Sequence, residues 1–256
     1  MAVRRDQQRS AAADAAQETE RIDAAASRGP ARTGRWAWEW VKSFLVAFGL
    51  FLVLRMFLVE AFRIPTGSME NTLLIGDFLL VNKAVYGATI PLTSARTPAF
   101  AQPARGDIVI FAPPHEPRKN YVKRLIGMPG DTIEMHAKNL FVNGQLQTEP
   151  YVRHSDPNDI YSPAMYWQCD HVPARVRADC RPTRDNWGPI VVPAGRYFML
   201  GDNRDDSEDS RYWGFVLRAG LRGKPLIIYY SFDPRSRRRV PWLTSIRWDR
   251  VGNTVH

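Results

Sequence analysis

The 256-residue chain reads as mainly β: an apolar N-terminal helix, then an antiparallel β-rich domain carrying a smaller inserted subdomain of strands and loops. Three observations predict this. Ser43 to Leu54 reads SFLVAFGLFLVL, without a charge. From residue 62 onward, short β-branched or aromatic runs alternate with Gly and Pro, and long helical periodicity is absent. That combination favours antiparallel strands over a helical bundle or a parallel sheet.

The first element, residues 1–34, is rich in Ala, Arg, Gln and Asp and has almost no large apolar side chains. Such a segment cannot bury enough surface to offset its ordering entropy, so a disordered tail is expected. The uncharged run that follows would span only about 18 Å as a helix, short of a bilayer core of about 30 Å. Extending it back to Trp36 reaches about 30 Å, with Trp36, Trp38 and Trp40 at headgroup level and Lys42 snorkelling. A cleaved signal peptide would lead into a small-x-small site, whereas this run leads into Val59-Glu60-Ala61-Phe62-Arg63. Residues 35–58 are therefore expected to be a retained transmembrane anchor. Arg21, Arg28, Arg32, Arg35 and Lys42 precede the span, which predicts a cytoplasmic N-terminus and residues 59–256 outside.

The formal net charge of +9 suits an anionic membrane surface. Its 35 Lys and Arg are spread along the chain, with no zinc-finger spacing or aromatic RNA-binding signature, so no nucleic-acid partner is expected.

Strands are predicted at Asp77 to Asn82, Asp107 to Phe111, Tyr121 to Ile126, Thr132 to Met135, Asn139 to Val142, Arg196 to Leu200 and Leu226 to Ser231. Asn143-Gly144 marks a tight hairpin and Pro129-Gly130-Asp131 another turn. Residues 146–195, rich in Pro, Asp and Arg, read as the inserted subdomain. It holds the two cysteines, Cys169 and Cys180, with too few further ligands for a metal site. A disulfide is expected if the domain is exported, and two free thiols otherwise.

A serine in Ile64-Pro65-Thr66-Gly67-Ser68-Met69 has by default the role of a turn or N-cap residue. No Gly-x-Ser-x-Gly elbow occurs, and none of the five histidines has recognisable triad partners. The company of Ser68 changes the reading. Gly106 to Phe111, then Tyr121-Val122-Lys123-Arg124-Leu125-Ile126-Gly127-Met128-Pro129-Gly130-Asp131, then Gly201-Asp202-Asn203-Arg204-Asp205-Asp206-Ser207-Glu208-Asp209-Ser210-Arg211 follow in order behind the anchor. With these four blocks, over about residues 55 to 131 and 197 to 216, the chain resembles the bacterial type I signal peptidase family.

The resemblance implies removal of signal peptides from exported preproteins by a β-rich catalytic domain in the periplasm, held by a single-pass anchor in the inner membrane. It implies Ser68 as nucleophile and Lys123 as general base. Thr66, with the Ser68 amide, would line the oxyanion hole, and Ser207 would hydrogen-bond the lysine. Asp202, Arg204, Asp209 and Arg211 would form a charged scaffold. Two departures stand out: Asp206 replaces the more common Asn, and Glu70-Asn71 precede Thr72 where Pro is frequent.

Elementary chemistry agrees with the pairing. Strand alternation puts Lys123 on one face with Tyr121 and Leu125, and desolvation moves an ammonium from about 10.4 toward about 7 to 8. An extended substrate pairing with the edges at Phe62 to Pro65 and Asn120 to Lys123 would send its −1 and −3 side chains into the protein. Those pockets, lined by Ile64, Met69, Leu73, Tyr121 and Val122, would be shallow and admit only small residues, as in Ala-x-Ala. The acidic run Asp202 to Asp209 fails the EF-hand pattern, with Arg204, Ser207 and Trp213 at positions three, six and twelve. No metal or cofactor is expected, and a monomer is. The alternative reading is a membrane-tethered interaction domain without catalysis.

Overall fold

The computed structural model describes residues 16–21, 31–87, 93 and 95–256. Most of the expected tail, residues 1–15 and 22–30, lies outside the described residues, while residues 16–21 are helical. Helix α1 spans Ala31–Phe57, so its first turn takes in the end of the expected tail. Trp36–Phe57 is long and apolar enough to cross a membrane. Aromatic pairs one turn apart line it: Trp36 and Trp40 meet edge to face at 5.7 Å, and Phe44 and Phe48 stack at 6.1 Å.

After a turn at Leu58 the chain becomes β. Its strands are β1 (Val59–Arg63), β2 (Asp77–Asn82), β3 (Ile108–Phe111), β4 (Tyr121–Gly127), β5 (Thr132–His136), β6 (Asn139–Val142), β7 (Gln145–Leu146), β8 (Trp187–Val191), β9 (Arg196–Leu200), β10 (Val216–Leu217) and β11 (Leu221–Ser231). They form a seven-stranded sheet in the order β1-β2-β11-β3-β4-β9-β10 and a four-stranded sheet in the order β7-β6-β5-β8. Every pairing between these strands is antiparallel.

The hairpin β6–β7 turns at Asn143 and Gly144, whose φ values of 53° and 76° supply the left-handed pair that a two-residue turn needs. The smaller sheet takes three of its strands from residues 132–146, so this second layer starts earlier in the chain than residue 146. The segment 146–195 adds β8 and a loop closed by the Cys169–Cys180 disulfide.

Position in the larger sheet decides what can be buried. Strand β4 lies between β3 and β9, so residues Lys123 to Gly127 are buried on both faces. Leu125 packs with Val109, Phe111, Tyr197 and Met199, whereas Ile126 joins the core of the smaller sheet with Ile133, Phe198 and Leu200. A third cluster, Ile64, Met69, Leu73, Leu79, Ile108 and Ile228, lies under the connection from β1 to β2. That connection carries Ser68.

Candidate active site

The loop from residue 64 to 76 is closed at its neck: Ile64 N–H donates to Asp77 O at 2.8 Å and Gly76 N–H to Ile64 O at 3.0 Å. Met69 and Leu73 anchor its middle in the core, and Leu73 N–H donates to Met69 O at 2.8 Å in a tight turn. The serine stands at the start of this turn, half-buried. Two carbonyls beside it are held from the acidic block at 201–211: Asn203 N–H donates to Ser68 O at 3.1 Å, and Asn203 Nδ2 to Gly67 O at 3.1 Å. Among the described residues the Ser68 N–H has no hydrogen-bond partner, so a donor at this groove-lining residue is uncommitted.

Lys123 sits on β4 paired with Val109 of β3 and is 3% exposed. Among the described residues its ammonium makes no hydrogen bond or ion pair. Burial pushes Lys123 down to about 8, with the Asp209, Glu208 and Asp202 charges opposing that fall and Arg211 adding to it. Tyr121, two residues back on the same face, is pushed up to about 12 by burial and by its hydrogen bond to Glu116.

The nearest source of compensating charge is already committed. Asp209 is fully buried and accepts from Arg211 Nε at 2.8 Å, Arg211 Nη2 at 2.9 Å, Ser207 Oγ at 2.8 Å and the Gly201 N–H at 3.1 Å. Desolvation would raise its carboxyl, but Arg211 holds it below the usual carboxylate range. Arg211 spends its remaining donors on the carbonyls of Arg204 and Arg184. Asp202 is clasped by Arg124, Nε at 2.9 Å and Nη2 at 2.7 Å, and also accepts from Thr72 Oγ1 at 2.6 Å. Arg204 reaches Glu149 at 2.6 Å and the Gly201 carbonyl at 3.1 Å. These pairs are among the buried charges that do cohere, because each cation is matched in geometry and further hydrogen-bonded.

Gly201 brings the serine and the acidic block together. A Cβ there would lie 2.2 Å from Ser207 Oγ and 2.5 Å from Ser68 O, so only the absence of a side chain permits this approach.

A groove of about 920 Å³ runs past these groups. It is lined by Phe62 to Met69, Lys119 to Lys123, Asp205 to Glu208, Ser162, Ala164 and Tyr212. The groove therefore gathers Ser68, Lys123, Thr66, Ser207, Phe62, Ile64, Pro65, Met69, Tyr121 and Val122. Leu73 is not part of its lining: it is fully buried beneath the loop. Asp202, Arg204, Asp209 and Arg211 lie buried behind the surface. Ser207 Oγ donates to Asp209 and not to the lysine, because a carboxylate is the strongest acceptor within its reach. Asp206, the unusual acid, is exposed, and the anions acting most on Lys123 are Asp209, Glu208 and Asp202. Sequence reasoning passed over Asn203, Arg124 and Gly201. Their signal was present, since all three lie inside the quoted motif blocks, but their roles depend on contacts between distant segments.

The model of the family "Signal peptidase, peptidase S26" matches residues 37–230. Signal peptidase I of Pseudomonas aeruginosa is 41% identical over 77% of this chain and 74% of its own length. Signal peptidase I of Pseudomonas fluorescens is 38% identical over 84% of this chain and 78% of its own. That of Aquifex aeolicus is 35% identical over 75% and 83%. With a family match over most of its length and these relatives across the same span, the chain belongs to the signal peptidase family, peptidase S26.

Proposed function

We propose that this chain is a membrane-anchored signal peptidase I that removes signal peptides through a Ser68–Lys123 dyad. The observation that carries this reading is a lysine buried at 3% exposure, without an ion pair, in the same groove as a half-buried serine. A neutral Lys123 Nζ takes the Ser68 Oγ proton as the oxygen attacks the scissile carbonyl. The oxyanion then forms beside the uncommitted Ser68 N–H and the Thr66 hydroxyl, where one good donor contributes about 3 to 4 kcal/mol. The protonated lysine returns its proton to the leaving amine, and water later releases the acyl group by the reverse sequence.

Ser207 Oγ, its hydrogen committed to Asp209, offers only lone pairs to its surroundings. In the reacting complex those lone pairs accept from Lys123 Nζ and orient it toward Ser68, a bond not formed among the described residues here. Residues 35–58 hold the enzyme in the inner membrane with its N-terminus in the cytoplasm, and 59–256, with the insert at 146–195, act as a monomer in the periplasm. Small side chains at −1 and −3 follow from shallow pockets bounded by Ile64, Met69, Tyr121 and Val122.

The test is cleavage of a purified preprotein by the full chain in detergent. Ser68→Ala and Lys123→Arg should each abolish processing while the fold is kept, since a guanidinium holds its charge but does not deprotonate. Processing by either variant at the wild-type rate would refute the dyad.

A further inference from the structure

Beyond the edge strand β1 and the stretch Tyr121 to Lys123 of β4, which pairs with β3 but not with β9, the groove is completed by Asp205 to Glu208, Tyr212, Ser162 and Ala164. The last two come from the connection between β7 and β8, and this part of the wall is clamped in place. Trp167 Nε1 and Gln168 Nε2 both donate to Arg211 O, at 3.0 and 2.8 Å. Arg184 approaches Asp205 at 3.5 Å, and its carbonyl accepts from Arg211 Nη1 at 3.2 Å.

The carboxylates on this wall divide into two kinds. Asp205 is spent on Lys138 at 3.0 Å and on the backbone N–H groups of Ser155 and Asp156. Asp206 and Glu208 are exposed, and among the described residues neither side chain has a hydrogen bond or ion pair. Asp206 Oδ2 lies 3.7 Å from where a Cβ on Gly67 would stand, which puts this carboxylate beside the nucleophile. The Glu208 charge acts on both Lys123 and Tyr121. Lys123, buried and unpartnered, lines the same groove.

The cations of the groove other than Lys123 have occupations of their own. Arg63 lies over Phe78 and Phe232 at 5.8 and 5.7 Å, and Lys119 pairs with Glu116 at 2.7 Å. The groove is thus polarised, with two unspent acids next to Gly67 and Ser207.

If Ser68 and Lys123 cut as proposed above, residues before the cut pair with the strand edges. Of the remaining lining, Asp206 stands next to Gly67 and so to Ser68, which sets residues after the cut against the Asp206 and Glu208 wall. At about 3.3 Å per residue, positions +1 and +2 stay within about 7 Å of the serine. We propose that Asp206 and Glu208 read the charge of the first two residues of the mature polypeptide, favouring cationic side chains and disfavouring anionic ones. Solvent-exposed charges at such distances alter rates about threefold each, and the effect is screened by salt.

The experiment uses the full chain in detergent and Ala-x-Ala peptides carrying Lys, Gln or Glu at +1, +2 or −2. The expected order of kcat/KM is Lys above Gln above Glu at +1 and +2, about tenfold from end to end at low ionic strength. At 0.5 M salt the span should shrink to about twofold. In Asp206→Asn/Glu208→Gln the ratio of the Lys to the Glu peptide should fall to near one, and in Asp206→Lys/Glu208→Lys it should invert. An unchanged ratio in both variants, insensitivity to salt, or the same preference appearing at −2 would overturn the inference. A failure of the underlying dyad looks different, because the Gln peptides would then still be cleaved by Ser68→Ala.

Discussion

Arg211 grips Asp209 at both carboxylate oxygens, Nε to Oδ1 at 2.8 Å and Nη2 to Oδ2 at 2.9 Å, with neither side chain exposed. The pairing leaves Asp209 near Lys123 without an ion pair to it, so the lysine feels the carboxylate but is not locked by it. Breaking such a pair leaves an uncompensated buried charge, which costs about 3 to 5 kcal/mol. Asp209→Asn should therefore lower the unfolding free energy by that amount in urea titrations at pH 7, where an exposed Asp206→Asn should change it by less than about 0.5 kcal/mol. The pH dependence has a definite sign. Because the folded-state pKa of Asp209 is depressed, its contribution is complete above about pH 4 and is lost as pH falls through the lower folded value. The wild type should lose stability on acidification below pH 4 more steeply than the Asn variant.

Gly201→Ala should be among the most damaging single-methyl changes in the protein. Its Cβ would overlap Ser207 Oγ at 2.2 Å and the Ser68 carbonyl at 2.5 Å, so at least one of the two must move. A displacement of about 1 Å near reacting groups costs about a hundredfold in rate. The expected result is a loss of that size in kcat, read by single-turnover cleavage, with the unfolding midpoint also reduced. Retention of wild-type kcat would show that the contact between the two segments is unimportant.

These contacts mark the limit of what the sequence makes legible. The long apolar helix was legible because an uncharged run preceded by three tryptophans carries no proline that would break it. Strands β2, β3, β4, β5, β6 and β9 were legible from β-branched runs between turn residues, and the Asn143-Gly144 hairpin from its own dipeptide. Of strand β1 only the end was marked, as the edge at Phe62 to Pro65, since Val59-Glu60-Ala61-Phe62-Arg63 carries two charges directly after an apolar helix; its partner β2, register-matched at Phe62 with Leu79, is what makes it extended. Strand β8 was hidden by Gly188-Pro189, a pair that reads as a turn but here lies against β5. The grouping of Ser68 with Lys123 and the 201–211 block came from motif order, because pairings across 55 and more than 130 residues leave no local periodicity. Arg124 shows the remainder: alternation put it opposite Lys123, but its clasp on Asp202 depends on β4 meeting β9.

Substrate selection should follow the pocket depth. A series of preprotein peptides varied at −3, −2 and −1, with products identified by mass, should show Ala at −1 and −3 cleaved and Phe or Lys there uncleaved, while the same replacements at −2 are accepted. Rejection of larger side chains by shape, more than attraction of small ones, would produce this pattern. Equal sensitivity at −2 would count against strand addition along Phe62 to Pro65.

The dyad is tested most directly by the pH dependence of kcat/KM, which reports ionisations of the free enzyme. With Lys123 pushed down to about 8 by burial, the neutral amine is lost as pH falls through that value. Activity of the full chain on a neutral Ala-x-Ala peptide should be half-maximal near pH 8 and fall tenfold per unit below it. A rate that stays level from pH 9 down to pH 5 would contradict a neutral lysine as the base for Ser68.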